Sequence, residues 1–269
     1  MAKPKITVIV PTYNSAATLE ACLRSIQAQT WNPVELIVAD NNSSDATRDI
    51  ARQYGTAFIA GPERSAQRNQ AARRAAGDIL IFIDSDMVLD RDVVTQVAEA
   101  FSEDPGLAAV VIPEETVGRG FWPAVRRFER GFYEGVSWIE AARAFPRQVF
   151  EKTGGYNEDM ISGEDWDLAK RAAASGRTGR IAARIRHDET GLTLWKHLKK
   201  KYYYSRNIGT YRQSADDAAV QFNPLRRLFV FMRKPFRLIT RPHLTWGLFT
   251  MKLLEMVVYT AARTRSGLK

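Results

Sequence analysis

Asp84 and Asp86 stand two residues apart at the end of an apolar run, "DILIFIDSD" (78–86). In a strand, residues two apart share a face, so both carboxylates point to one side of its end. Two close carboxylates repel each other unless a cation sits between them. Mg²⁺ or Mn²⁺ with a diphosphate suits this pattern, because such ions take few carboxylates together with phosphate oxygens. An isolated Asp-x-Asp more often belongs to a solvated loop, so its surroundings decide. Asp90 (four residues on) fits a cap for a helix beginning near Arg91.

Other stretches supply those surroundings. In "ERSAQRNQ" (63–70), Ser65 can cap a helix whose start is flanked by Arg64 and Arg68. A helix N-terminus with arginine is an anion site, although an Arg-rich solvent face is the plainer reading. Asp40 in "ADNNSSD" (39–45) can accept from a base or a ribose, or can serve a turn. "GEDWDL" (163–168) places Glu164, Asp165 and Asp167 at a helix start. A carboxylate there can act as a general base towards a hydroxyl, or can merely complement the helix dipole. His187 can bind a metal or a phosphate, or be structural. Cys22 is the sole cysteine and shares a helical face with Leu19, Leu23 and Ile26, which makes it a small core residue.

These residues need a frame to bring them together. The 269 residues suffice for one large domain or a domain with an appendage. Continuous apolar runs recur at 6–10, 35–39, 56–60, 78–83 and 107–112, as in strands covered on both faces. Helical patterns over 15–28, 44–54, 65–76 and 91–101 lie among them. This alternation predicts an α/β, doubly wound, mostly parallel sheet. Ligands then bind beyond the carboxyl ends of the strands. The segments at those ends are "PTYN" (11–14), "DNNSSD" (40–45), "GPERSAQRN" (61–69) and "DSDMVLD" (84–90). All are polar and would line one edge. "PTYN" has no glycine, which argues against a dinucleotide-binding turn. Residues 113–140 read as irregular, 145–160 as a short helix ending on a glycine turn, 163–176 as a helix and 180–189 as one strand.

The net charge of +9 is unevenly spread. Residues 192–269 hold 16 Lys/Arg against 3 Asp/Glu, a charge of +13, which leaves −4 for residues 1–191. A basic tail of this kind meets a polyanion or an anionic membrane. Leu225, Leu228, Phe229, Met232 and Phe236 share a helical face, and Pro235 should break or kink that helix. The run 244–262 contains Lys252 and Glu255, and a charge at a bilayer centre costs about 3 kcal/mol. In-plane amphipathic helices therefore fit better than a spanning one. Packing against the catalytic domain or a second subunit is the plainer reading. Nucleic acid is excluded because the aromatics stand among bulky aliphatics rather than on a stacking platform. The N-terminal apolar run is too short for a signal peptide, so a cytosolic location is expected.

Four stretches together, "VIVPTYNSAATLEACLRSIQAQT", "ELIVADNNSSDATRDIA", "ERSAQRNQAARRAAGDILIFIDSD" and "GGYNEDMISGEDWDL", resemble family 2 of the inverting glycosyltransferases, which have the GT-A fold. The resemblance spans about residues 5–190. It implies a nucleoside-diphosphate-sugar donor, with Pro11, Thr12, Tyr13, Asn14 and Asp40 at the nucleoside. Asp84 would lie near the ribose or the metal, Ser85 would help bind the sugar nucleotide, and Arg68 would hold that segment or the phosphates. Asp86 would bind the metal (Mg²⁺ or Mn²⁺), and His187 matches a histidine that in some members reaches the metal or the diphosphate. In the Glu164–Asp165 pair, Asp165 would be the catalytic base.

The expected organisation is a GT-A catalytic domain over 1–190 and a basic, aromatic-rich helical extension over 191–269. The expected partners are the sugar nucleotide, a lipid-linked acceptor and an anionic membrane surface, on the cytoplasmic side, with oligomerisation left open. Two rival readings are a non-catalytic membrane adaptor on the same scaffold and a sugar-phosphate nucleotidyltransferase.

Overall fold

A computed structural model describes residues 3–206, 208, 209, 211 and 223–265. Of the extension expected over 191–269, residues 207, 210, 212–222 and 266–269 lie outside the described residues. The described residues form two compact units. One draws on Met1–Glu114, Ala141–Glu158 and Glu164–His187, the other on Glu115–Glu140, Asp159–Gly163 and Asp188–Lys269.

The first unit is built on strands β1 (Ile6–Thr12), β2 (Val34–Asp40), β3 (Thr56–Ile59), β4 (Ile79–Phe82), β6 (Leu107–Val111), β8 (Ala144–Pro146) and β9 (Arg177–Arg180), with a short β5 (Met87–Leu89) beside them. Seven of these make one sheet in the order β3-β2-β1-β4-β8-β6-β9. β1 runs parallel to β2 and β4, β2 to β3 and β6 to β9, while β8 is antiparallel to both its neighbours. The continuous apolar runs of β1, β2, β4 and β6 are thereby explained, whereas β3 is an edge strand with Ile59 exposed rather than covered on both faces. Val8, Val10, Val38 and Ile81 point into one core with Leu19, Cys22, Leu23 and Ile26 of helix α1 (Ala16–Gln27). Ile9, Ile37, Leu80 and Phe82 point into a second core on the opposite face. Each such side chain contributes about 1.5–3 kcal/mol when fully buried. Cys22 is buried, and burial pushes its thiol pKa up, so it is the expected core residue.

Helices α2 (Thr47–Arg52), α3 (Arg64–Arg74), α4 (Val93–Glu103), α6 (Arg147–Lys152) and α7 (Glu164–Ala173) complete this unit. Three local expectations need correction. Ser65 does not cap α3: the cap position is Glu63, and Ser65 is a buried residue of the first turn. Asp90 does not cap α4, which begins three residues later. Its carboxylate instead accepts from Arg184 N–H at 3.1 Å and pairs with Arg186 at 2.7 Å. The strand expected over 180–189 is shorter, β10 (Ile185–Asp188), which pairs antiparallel with β5, while β9 ends at Arg180 before it.

The second unit contains most of β7 (Glu114–Val117) and helices α5 (Phe121–Tyr133), α8 (Leu194–Arg206), α9 (Pro224–Met232), α10 (Pro235–Thr240) and α11 (Pro242–Arg265). Residues 113–140 are thus more regular than their sequence suggests. α5 carries Pro123 in its first turn, Gly131 inside it and a buried Glu129, each of which masks a helical stripe of Val125, Phe128 and Phe132. That stripe packs with Val230, Phe231, Leu244, Leu248 and Met251 into a third core. Pro235 separates α9 from α10 and occupies the first turn of the latter, as its missing N–H requires.

Candidate active site

α3 begins just after β3 and puts Arg68 one turn in, where it is fully buried. Its guanidinium bridges two carboxylates from separate elements. Nη2 donates to Asp84 Oδ1 at 2.6 Å, just past β4, and Nη1 donates to Asp165 Oδ1 at 3.0 Å, in the first turn of α7. Glu164 Oε1 lies 3.5 Å from the same Nη1 and 3.2 Å from Arg64. The Tyr156 ring lies beneath the guanidinium at 4.9 Å, which suits a planar cation. The neighbouring Asn69 fixes that tyrosine's loop: it donates to Tyr156 O at 2.8 Å and accepts from Tyr156 N at 2.9 Å. Gly155 makes this approach possible. Its φ is +72°, and a Cβ there would lie 2.6 Å from Asn69 Oδ1.

Arg143, which the sequence does not signal, is a further cation of the site. It sits just before β8, beside the end of β4. Its Nε donates to Glu114 Oε1 at 2.7 Å, and its Nη1 lies 3.5 Å from Asp84 Oδ2. Cys22 Sγ, at 3.7 Å, donates to the backbone carbonyl of Asp84.

These charges set the protonation states. Burial alone would raise the Asp84 pKa, but Arg68, then Arg143 and Arg64, hold it well below the usual carboxylate range. Glu164 goes the other way. Burial, aided by the Asp165 charge, raises it from 4.5 to about 6 against the pull of Arg64 and Arg68. Burial disfavours a charged Arg68, yet Asp165 and Asp84 keep it protonated.

The ends of β1 and β2 form a second polar group. Asp40 is buried and accepts from Thr12 Oγ1 at 2.9 Å, from Ser43 N at 2.8 Å and from Ser43 Oγ. Asp40 therefore serves the turn at the end of β2. Asn14 adopts a left-handed φ of 47° and accepts from Ser44 N at 2.9 Å. Pro11 is buried at the end of β1, and Tyr13 is 62% exposed beside it. Ser85 Oγ donates to Ser15 Oγ at 2.9 Å, which ties the β4 loop to the start of α1.

Asp86 and His187 meet because β10 pairs with β5, with His187 opposite Met87. His187 Nε2 lies 3.0 Å from Asp86 Oδ2. A carboxylate oxygen and an imidazole nitrogen are two good donors for a divalent cation. Among the described residues no group of three or more His, Cys, Asp or Glu gathers to hold a metal. The pair thus fits an ion that takes its remaining ligands from phosphate oxygens and water, as Mg²⁺ and Mn²⁺ do, rather than an all-protein cage.

The structure therefore gathers Arg68, Asp84, Glu164 and Asp165 in one cluster, Asp86 with His187 in a second, and Thr12, Asn14 and Asp40 in a third around the β1 and β2 ends. Residues 7–157 match the model of glycosyl transferase family 2. The glycosyltransferase AglE of Haloferax volcanii is 30% identical over 207 residues, 70% of this chain and 66% of that protein. The O-antigen chain rhamnosyltransferase RfbN of Salmonella typhimurium is 28% identical, over 64% of this chain and 62% of its own. The chain thus spans just under two thirds of these relatives. Among solved structures, the mannosyltransferase PcManGT of Pyrobaculum calidifontis, in complex with GDP-Man and Mn²⁺, aligns with a TM-score of 0.62 at 19% identity, over 99% of this chain and 88% of that one. TarS (residues 1–349) of S. aureus, in complex with UDP-GlcNAc, aligns at 0.55 and 21% identity over 76% of this chain and 66% of that one. At such identities the likeness speaks for the fold. Sheet order, strand-end acids and the match over more than half its length agree: this chain belongs to glycosyl transferase family 2 and has the GT-A fold.

Proposed function

We propose that the chain is an inverting glycosyltransferase that moves a sugar from a nucleoside diphosphate to a hydroxyl of a lipid-linked, polyprenyl-type acceptor. The observation that carries this reading is the Arg68 bridge, which holds Asp165 and the ionised Asp84 on one buried guanidinium. Arg68 engages Asp165 Oδ1, so Oδ2 remains for the acceptor. Asp165 takes the hydroxyl proton as the acceptor oxygen forms its bond to the anomeric carbon. The bond from that carbon to the diphosphate oxygen breaks, and its electron pair leaves with the diphosphate. Attack from the face opposite the leaving group inverts the configuration. Glu164 assists by fixing Arg64 and Arg68.

Pro11, Thr12, Tyr13, Asn14 and Asp40 receive the nucleoside, Asp84 lies near the ribose or the metal, and Ser85 helps bind the sugar nucleotide. Asp86 and His187 would hold Mg²⁺ or Mn²⁺, whose chemistry is to neutralise charge on the departing diphosphate. We divide the chain into a catalytic domain over 1–190 and a membrane-associating extension over 191–269, peripheral on the cytoplasmic face. AglE and RfbN are glycosyltransferases, and the PcManGT and TarS structures are complexes with GDP-Man and UDP-GlcNAc, which supports the donor class.

Titration calorimetry with nucleoside diphosphates, with and without Mn²⁺, tests the donor site. Metal-dependent binding is expected, and its loss in Asp86→Ala. Asp165→Asn should keep nucleotide binding but lose transfer by a factor of about 10²–10⁴, the usual worth of a general base. Full transfer in Asp165→Asn would sink the base assignment, and the absence of any nucleotide binding would favour an adaptor.

A further inference from the structure

The second unit contains helices whose polarity is turned inside out. Lys252 and Glu255 are the only Asp, Glu, Lys or Arg between Pro242 and Ala262, and both face inward. Lys252 Nζ pairs with the buried Glu129 of α5 and lies 2.9 Å from Glu255 Oε2. Glu255 Oε1 is 2.6 Å from His197 Nε2 of α8. Burial disfavours these charges, but Glu129 keeps Lys252 protonated, and Lys201 and Lys252 hold Glu255 ionised. The charges that argue against a spanning helix are thereby consumed inside the unit.

What remains outside is apolar. Trp246, Leu253, Met256 and Val257 of α11 are 65%, 63%, 52% and 58% exposed at helical spacing. Phe236 and Ile239 of α10 are 79% and 73% exposed. Leu238, Ile239, Trp246, Phe249 and Leu253 line an open groove of about 670 Å³. A water-facing surface rarely leaves so many large apolar side chains together.

Charge identifies the occupant. The sequence has no Asp or Glu from 218 to 254 but seven Lys or Arg, of which Arg226, Arg233, Lys234 and Arg241 are exposed on or between α9, α10 and α11. An apolar ridge on helices whose exposed charges, among the described residues, are Arg226, Arg233, Lys234 and Arg241 matches lipid chains beneath anionic headgroups. Among the described residues no helix is long and apolar enough to cross a membrane, so the contact is an in-plane one.

We propose that the outer face of α10 and α11, with its groove, docks onto an anionic lipid bilayer. Phe236, Ile239, Trp246 and Leu253 enter the hydrocarbon boundary, and Arg226, Arg233 and Arg241 meet the headgroups. This deepens the membrane-associated reading above and rests on it only for the role of the tail.

The test uses the full chain and vesicles of phosphatidylcholine with or without phosphatidylglycerol. Wild type is expected to sediment with the anionic vesicles and little with the neutral ones. The Trp246→Ser/Leu253→Ser pair, both residues already exposed, is expected to lower partitioning at least about tenfold, since each loses the burial of a large apolar side chain. Its nucleotide binding by calorimetry should match wild type, which shows that the fold is kept. Brominated acyl chains should quench Trp246 emission when Trp246→Phe serves as the reference. Unchanged partitioning of the Trp246→Ser/Leu253→Ser protein would overturn the proposal. So would a wild-type dimer in light scattering that this variant abolishes without any vesicle binding, because the face would then belong to a second copy. Vesicle binding without transfer to a lipid-linked acceptor would leave the docking face standing and remove only the acceptor assignment.

Discussion

Glu164 and Asp165 are neighbours in sequence, yet their side chains are exposed to 5% and 29% and meet different partners. Burial and the adjacent Asp165 charge raise Glu164 from 4.5 to about 6. A raised carboxyl pKa means that the fold prefers the protonated form. That preference stabilises fully below about pH 4.5 and is lost as pH rises through about 6. The shift of about 1.5 units is worth roughly 2 kcal/mol. Glu164→Gln mimics the protonated state at every pH. Measured by denaturant unfolding, wild-type stability relative to Glu164→Gln should therefore fall by about 2 kcal/mol from pH 4 to pH 8. A difference that is flat across this range removes the assignment. At this scale the sequence shows the acids well, because Asp84, Asp86 and Asp165 end or begin strongly patterned elements and His187 follows a strand-like run. Arg143 does not show. In "AARAFPR" it looks like one more surface arginine, and only the pairing of β8 with β4 brings it to Asp84.

Elements follow from the chain where one force dominates. β1, β2 and β4 are recognisable to within two residues because burial on both faces requires an uninterrupted apolar run. α5 is hidden for the converse reason, since its stripe is interrupted by a buried glutamate held by Arg126 of its own helix and by a lysine far along the chain. Glu129 pairs with Lys252, more than a hundred residues away, and no local pattern announces such a partner. The same packing puts α11 close against α5 at Gly247, where a Cβ would lie 2.7 Å from Val125 Cγ2 and 2.8 Å from Phe121 Cζ. Two effects then oppose each other. Replacing a mid-helix glycine gains up to about 1 kcal/mol of helix propensity. Forcing a leucine into filled space costs about 1–3 kcal/mol or more. Overpacking should win, so Gly247→Leu is expected to lower the midpoint of thermal unfolding. Gly135→Ala is a poor control, because its φ of +74° adds backbone strain of its own. Thr260→Ala, on the exposed side of α11, should leave the midpoint nearly unchanged. Equal midpoints for Gly247→Leu and wild type would mean that α5 and α11 do not pack in this way.

Across the whole molecule the charge is segregated, with −4 on residues 1–191 and +13 on residues 192–269. A near-neutral part suits a site that carries its own buried arginines, whereas the basic part sets how the chain meets anionic surfaces. Each exposed cation near an anionic bilayer contributes about 1 kcal/mol. Arg226, Arg233 and Arg241 together would then contribute about 3 kcal/mol, roughly a hundredfold in partitioning. The screening length falls from about 10 Å at 0.1 M salt to about 3 Å at 1 M. Partitioning onto anionic vesicles should accordingly drop by about a hundredfold over that range, while the apolar ridge retains a salt-insensitive remainder. Arg226→Gln/Arg233→Gln/Arg241→Gln should bind at low salt about as weakly as wild type binds at high salt, and its dependence on salt should be shallow. If it keeps the wild-type slope, these three arginines are not the groups that face the headgroups. The attraction would then have to come from the other cations of the extension, with α9 and α10 turned away from the lipid.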